Sequence, residues 1–158
     1  MTNVHKRPGT VIFLYILQAF LGIGAIAGGF GLLSDPSGEN IGLPMSLLER
    51  SPFDDYLIPG ILLLVVFGLL PLIVLYGLVK KPEWPMSFGP FKAQHGAWTL
   101  SLYLGFGQII WIIVQTYMMD SVSVIHVAYM CLGLLIQAVT LLPSVQRYFV
   151  LDGKEERR

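Results

Sequence analysis

The side chains best suited to chemistry in this sequence are Gln18, Gln108, Gln115, His126 and Gln137, polar groups set in long apolar stretches. Of these, His126 alone titrates near neutral pH, so it is the candidate acid, base or ligand. Gln108 and Gln115 are separated by two helical turns with Trp111 between them, which places all three on one face of a helix. His126, Tyr129, Gly133, Gln137 and Thr140 follow one face of the next helix in the same way. If these helices form a hairpin, Gln115 and His126 share a depth near the turn, and Gln108 lies nearer Gln137. Two chemistries fit such stripes. One is interhelical hydrogen bonding, worth roughly 0.6 to 2 kcal/mol per bond in a membrane. The other is a pocket lined by Gln108, Trp111, Gln115, His126 and Gln137 that orients a ligand.

Other chemistries lack their parts. A metal site needs several His, Cys or carboxylate ligands at matched depth, and Cys131 lies more than a turn from His126 on a different heading, so no metal is expected. As the sole cysteine it cannot form an internal disulfide and reads as a small buried hydrophobe. His95, in Gln94-His95-Gly96, reads as interfacial. The sequence contains no G-x-S-x-G, P-loop, H-E-x-x-H or C-x-x-C motif and no paired carboxylates within its apolar stretches. No catalytic residue and no cofactor are therefore assigned, and ion-coupled transport lacks its usual acid or base pair.

These side chains are carried by four stretches, 10–33, 56–79, 96–119 and 121–145, that contain no Asp, Glu, Lys or Arg. Each exceeds the roughly 20 residues needed to cross a bilayer core about 30 Å thick. Hydrophobic residues make up 54% of the chain and charged residues 13%, half the share of a soluble domain, and the 158 residues are nearly consumed by the four stretches. The expectation is a single all-α domain, a four-transmembrane-helix bundle over 1–158. Lys6 and Arg7 ahead of the first stretch resemble the start of a signal peptide, but the run is too long for one and reads as a retained helix.

Lys6, Arg7, Lys80, Lys81, Lys92, Arg147, Lys154, Arg157 and Arg158 fall on one side of such a bundle and Arg50 alone on the other. The basic side is retained at the cytoplasm, so both termini are expected there, in a prokaryotic plasma membrane. Asp35, Glu39, Glu49, Asp54 and Asp55 gather in the opposite loop, so zero net charge conceals a separation of sign, and no nucleic-acid partner is implied. That loop opens with turn residues at Ser34-Asp35-Pro36-Ser37-Gly38, and Leu43 to Leu48 then shows apolar spacing suited to a short interfacial helix. Ser51-Pro52-Phe53-Asp54-Asp55 supplies the cap and acidic residues that start a second helix. On the basic side, Pro82, Pro85 and Pro90 with Trp84, Phe88 and Phe91 read as a membrane-hugging linker or a partner-docking loop.

In the first helix, Gly24 with Gly28 and Ala25 with Gly29 form two overlapping faces of small residues that allow close approach of a neighbour. They serve packing within the bundle, a dimer face, or room for a flat ligand. Pro71 falls in mid-span of the second helix and predicts a kink near Phe67 and Gly68.

The segments Gly28-Gly29-Phe30-Gly31-Leu32-Leu33-Ser34-Asp35-Pro36, Gly42-Leu43-Pro44, Ser51-Pro52-Phe53 and Tyr56-Leu57-Ile58-Pro59-Gly60 resemble small uncharacterised bacterial four-helix integral membrane proteins, and the arrangement is similar to DoxX-like proteins. The resemblance covers the first half of the chain. It implies a glycine-rich first helix leading through a G-x-P loop into a long second helix. DoxX-like proteins are tied to quinone or thiol redox chemistry, but this sequence has no cysteine pair, so no catalytic role is carried over.

Three functions remain in view. The first is a non-enzymatic packing or accessory component, partnered by another membrane protein or a second copy. The second is a binder or carrier of a hydrophobic small molecule, a lipid or quinone, held between helices one, three and four. The third is a membrane enzyme using His126.

Overall fold

A computed structural model describes residues 7–83 and 90–151 of the chain. Lys6, Trp84, Pro85, Phe88, Lys154, Arg157 and Arg158, used above for orientation and for the basic-side linker, lie outside the described residues. The described chain is all-helical: α1 (Gly9–Ser34), α2 (Leu57–Lys80), α3 (Gly96–Met119), α4 (Val124–Thr140) and α5 (Pro143–Tyr148). The first three long helices are long and apolar enough to cross a membrane, and α4 is a shorter apolar helix of 17 residues.

Apolar side chains cover these helices on all sides, as expected where no face meets water. Leu14, Leu21 and Val74 point inward with no exposure, while Phe20, Ile23, Ile73 and Ile110 project outward. The four helices form a ring in which α1 packs against α2 and α4, and α4 against α3. The ring closes between α2 and α3 mainly through 70–80, and the first half of α2 packs more loosely on α3.

The packed core fills the lower half, the end that carries Arg7 and α5. There Leu14, Leu78, Trp98, Ile136, Val145 and Phe149 belong to one buried core. Polar groups tie this end together. Gln18 Nε2 donates to Ser101 Oγ at 2.8 Å, and Ser101 shares a hydrogen bond with Thr140, whose hydroxyl donates to the Ile136 carbonyl. Trp98 Nε1 donates to the Thr140 carbonyl at 2.8 Å, one of the carbonyls freed where α4 ends. Lys81 donates to the Tyr148 carbonyl and lies 3.5 Å from the centroid of that ring. His95, expected at the interface, is buried within the protein here. Its Nδ1 accepts from the Ala97 N–H as the α3 cap, which leaves Nε2–H to donate to the Pro82 carbonyl.

Two helices differ from the simple apolar runs. The proline kink in α2 takes the form of a π-helical stretch, Leu63–Leu69, in which the Leu70 N–H reaches the Val65 carbonyl. Pro71 has no N–H and its ring crowds the preceding turn, so the wider turn absorbs both. The fourth stretch, 121–145, is not one helix. Ser123 caps its start with His126, and the helix stops at Thr140 because Pro143 holds Leu142 in an extended conformation before restarting the chain as α5.

The upper loop between α1 and α2 contains two short 3-10 turns, Glu39–Ile41 and Met45–Leu48; the second stands where the short helix is expected. α2 begins at Leu57, later than the Ser51-Pro52 cap suggests, with Asp55 accepting from the Leu57 N–H at 2.9 Å. Tyr56 staples the loop: it is buried against Leu32 and Leu48, and its hydroxyl donates to the Pro44 carbonyl. Gly38 takes a φ of 77°, and a side chain there would strike the Tyr56 ring.

Asp35 organises the same loop by accepting from the Ser37 hydroxyl and N–H and the Asn40 N–H. The Ser37 hydroxyl and these amides favour the carboxylate and lower its pKa below 3.8. A depressed pKa contributes stability above the unfolded value that is lost as pH falls through the folded one. Cleavage of the loop by an acid-active protease should therefore rise at low pH, and Asp35→Ala should flatten that dependence while raising cleavage at neutral pH. A loop equally resistant across the range would remove Asp35 as its organiser.

Candidate functional site

The upper half of the bundle is hollow. Where α2 leaves α3, a cavity of about 620 Å³ opens between α1, α3 and α4, roofed by the upper loop. That volume lies within the range of small-molecule sites.

Each wall has a local reason. On α1, Gly24 and Gly28 face the cavity; a β-carbon at Gly24 would collide with the Tyr129 hydroxyl, and one at Gly28 would lie 3.1 Å from Leu63 Cδ2. The missing side chains thus make room for Tyr129 and Leu63 at the cavity wall. On α3, Gln108, Trp111 and Gln115 fall on one face, and Met118 and Met119 continue it toward the roof. On α4, His126 and Tyr129 complete the wall. Leu43, Leu47, Phe53 and Tyr56 supply the roof. Arg50 of the loop pairs with Asp120 of the α3–α4 turn at 3.0 Å. Both partners are exposed, so this tie contributes at most about 1 kcal/mol.

Gln108, Trp111, Gln115 and His126 thus meet in one space with Ala25, Gly24 and Gly28. Gln137 does not join them. It packs over Gly105, and Gln108 over Gly133; a β-carbon on Gly105 would lie 2.6 Å from Gln137 Cγ, and one on Gly133 3.3 Å from Gln108 Cγ. The amide stems fill these glycine notches, and no hydrogen bond joins Gln108 to Gln137 or Gln115 to His126. The interhelical bonding is done by Gln18, Ser101 and Thr140 instead. Gly29 also departs from the cavity: it abuts the backbone of Leu64 in α2.

Two groups at the cavity wall lack a protein partner. Gln108 is 2% exposed and its Oε1 has no donor; the Trp111 indole N–H is buried with no acceptor. Buried polar groups nearly always find partners, and an unmet one costs about 1–3 kcal/mol. By contrast, His126 Nδ1 is committed to the capping box, accepting from the Ser123 N–H at 3.1 Å, so the ring proton resides on Nε2. Its first duty is to begin α4. Cys131 is exposed on the outer surface of α4, not buried as a small hydrophobe, because its heading carries it away from both neighbouring helices. Among the described residues no three metal-ligating side chains converge.

Sequence reasoning passed over the roof and Tyr129 as site residues. Tyr129 lies one turn after His126 on the same face, a signal that would have included it. The roof depends on how the loop folds back. No protein-family model, curated protein or solved structure matches this chain.

Proposed function

We propose that the chain is a four-span plasma-membrane protein with both termini in the cytoplasm, and that its upper cavity holds a hydrophobic small molecule with an uncharged polar head, a lipid or a quinone. For the topology, α4 at about 1.5 Å per residue is near the lower limit of a spanning helix, and α5 continues it toward the lower end. The basic residues Arg7, Lys80, Lys81, Lys92 and Arg147 all lie at that end. With Cys131 replaced by Ser, cysteines at Asn40 and Ser121 should react with an impermeant thiol reagent added outside cells, and cysteines at Glu83 and Lys92 should not; the reverse pattern would invert the topology.

The observation that carries the ligand reading is the cavity with two unpartnered polar groups at its wall, Gln108 Oε1 and Trp111 Nε1. No Asp, Glu, Lys or Arg lines it, so a charged head would lose its hydration without gaining a counter-charge. A hydroxyl head can donate to Gln108 Oε1 or accept from the Trp111 indole N–H, and a carbonyl head can accept from Trp111 alone. The glycine faces, which first suggested a protein partner or a second copy, are occupied within the chain by α2 and by the cavity. Native mass spectrometry of protein gently extracted from its own membrane tests this. A discrete lipid- or quinone-sized adduct is expected, and it should be lost in the Gln108→Leu, Trp111→Phe double variant. A bare monomer, or a complex with another protein and no adduct, would sink the ligand reading.

A further inference from the structure

The cavity has a neighbour. On the outward side of Trp111, where α2 and α3 part, lies a cleft of about 260 Å³ lined by Leu62, Val66, Phe67, Gly107 and Ile110. Trp111 and Val114 line both spaces, so the two adjoin at these side chains. Leu62 and Ile110 at the cleft are exposed on the outer surface, so the cleft faces outward from the bundle.

The parting of the helices has two structural causes. The π-helical stretch of α2, forced by Pro71, spans Phe67, and the main packing of α2 on α3 lies below it, at 70–80. On α3, Gly107 offers no side chain: a β-carbon there would find only Phe67 Cε1, at 3.9 Å. The Phe67 and Trp111 rings, with centroids 5.7 Å apart, stand at the boundary. Aromatic side chains change rotamer without breaking a backbone hydrogen bond, so a swing of these two rings would join the two spaces.

Resting on the ligand reading above, we infer that cavity and cleft are one binding site for an uncharged long-chain amphiphile, such as a monoacylglycerol. Its hydroxylated head lies in the cavity at Gln108 and Trp111, and its chain leaves between α2 and α3 into the bilayer. The chemistry follows from the lining. A hydroxyl can both donate, as Gln108 Oε1 requires, and accept, as the Trp111 indole N–H requires, whereas a phosphate would meet no cation. The chain needs only apolar contact, and the cleft supplies nothing else. A ligand dissolved in the bilayer thus reaches the head site sideways, without crossing the roof.

The test titrates the detergent-solubilised chain with mono-octanoylglycerol, mono-oleoylglycerol and oleoyl lysophosphatidic acid, read by native mass spectrometry. Wild type should bind both monoacylglycerols and bind the lysophosphatidic acid at least about tenfold more weakly, a difference of 1.4 kcal/mol. Gly107→Trp fills the cleft from its open side. It should weaken mono-oleoylglycerol about tenfold or more while leaving the short-chain ligand within about twofold, since that chain fits inside the cavity. Ile110→Trp blocks the same cleft from its rim and reads the same effect should the first variant fail to fold. Equal effects on both chain lengths, or none, would separate the cleft from the site and leave the cavity reading standing. Tight binding of the lysophosphatidic acid would overturn the uncharged class. No binding of any of these lipids by wild type, with no adduct from the native membrane, would remove the ligand reading itself.

Discussion

Gly29→Leu is expected to destabilise the folded bundle by about 3 kcal/mol or more, the upper end of what overpacking costs. A β-carbon at Gly29 would lie 2.9 Å from both Cβ and N of Leu64 and 3.0 Å from its Cα, and these atoms cannot rotate away. The obstruction is backbone against side chain, so α1 and α2 must separate along their length. The contacts on either side would open with them, since Gly22 abuts Leu72 and Gly68 abuts Ile26 across the same seam. Thermal unfolding in detergent checks this, with Gly28→Ala as the comparison: its nearest neighbour is the flexible end of Leu63, and its effect should stay below about 1 kcal/mol. Similar melting of both variants would mean that the α1–α2 seam is looser than its backbone approach implies.

Gly24→Leu is expected to do the opposite, abolishing ligand binding by about a hundredfold or more while sparing most of the stability. Gly24 borders the cavity, and the atom a β-carbon would meet is the hydroxyl at the far end of Tyr129, which can swing aside. The rest of the leucine would occupy space that a ligand head needs, and a filled site loses affinity outright. The measurements are loss of the co-purifying adduct in native mass spectrometry and a thermal midpoint close to wild type. An adduct that persists at wild-type level in a folded Gly24→Leu chain would place the ligand elsewhere. A chain that melts like Gly29→Leu would make Gly24 a packing residue and leave the cavity without its glycine wall.

The pair matters because Gly24 and Gly29 belong to one glycine-rich helix and look alike in the sequence. Both sit in small-residue faces, Gly24 with Gly28 and Ala25 with Gly29. A turn of 100° per residue is enough to send one to the α2 seam and the other to the cavity. The same division explains the amides. Gln18 and Gln108 are both buried glutamines whose oxygens meet no donor, yet the Gln18 amide nitrogen reaches Ser101 across the bundle while Gln108 lines the cavity.

Much was legible from the chain alone. Runs of apolar residues without charge define helices to within a few residues, because a backbone without water must bond to itself and the helix is the local way to do so. The all-helical class, the extents of α1, α2 and α3, the irregularity before Pro71 and the polar face of Gln108, Trp111 and Gln115 follow from such local rules. The break at Leu142 was also local, announced by Pro143 but masked by the apolar run on either side. What only the tertiary structure decided is which faces meet. The π-helical turn of α2 and the bare surface of Gly107 hold α2 off α3 in the upper half, so the polar face of α3 borders space and not a neighbour. Periodicity states that residues share a face; it carries no distance to what that face confronts, and a bond, a notch and a cavity all begin from the same spacing.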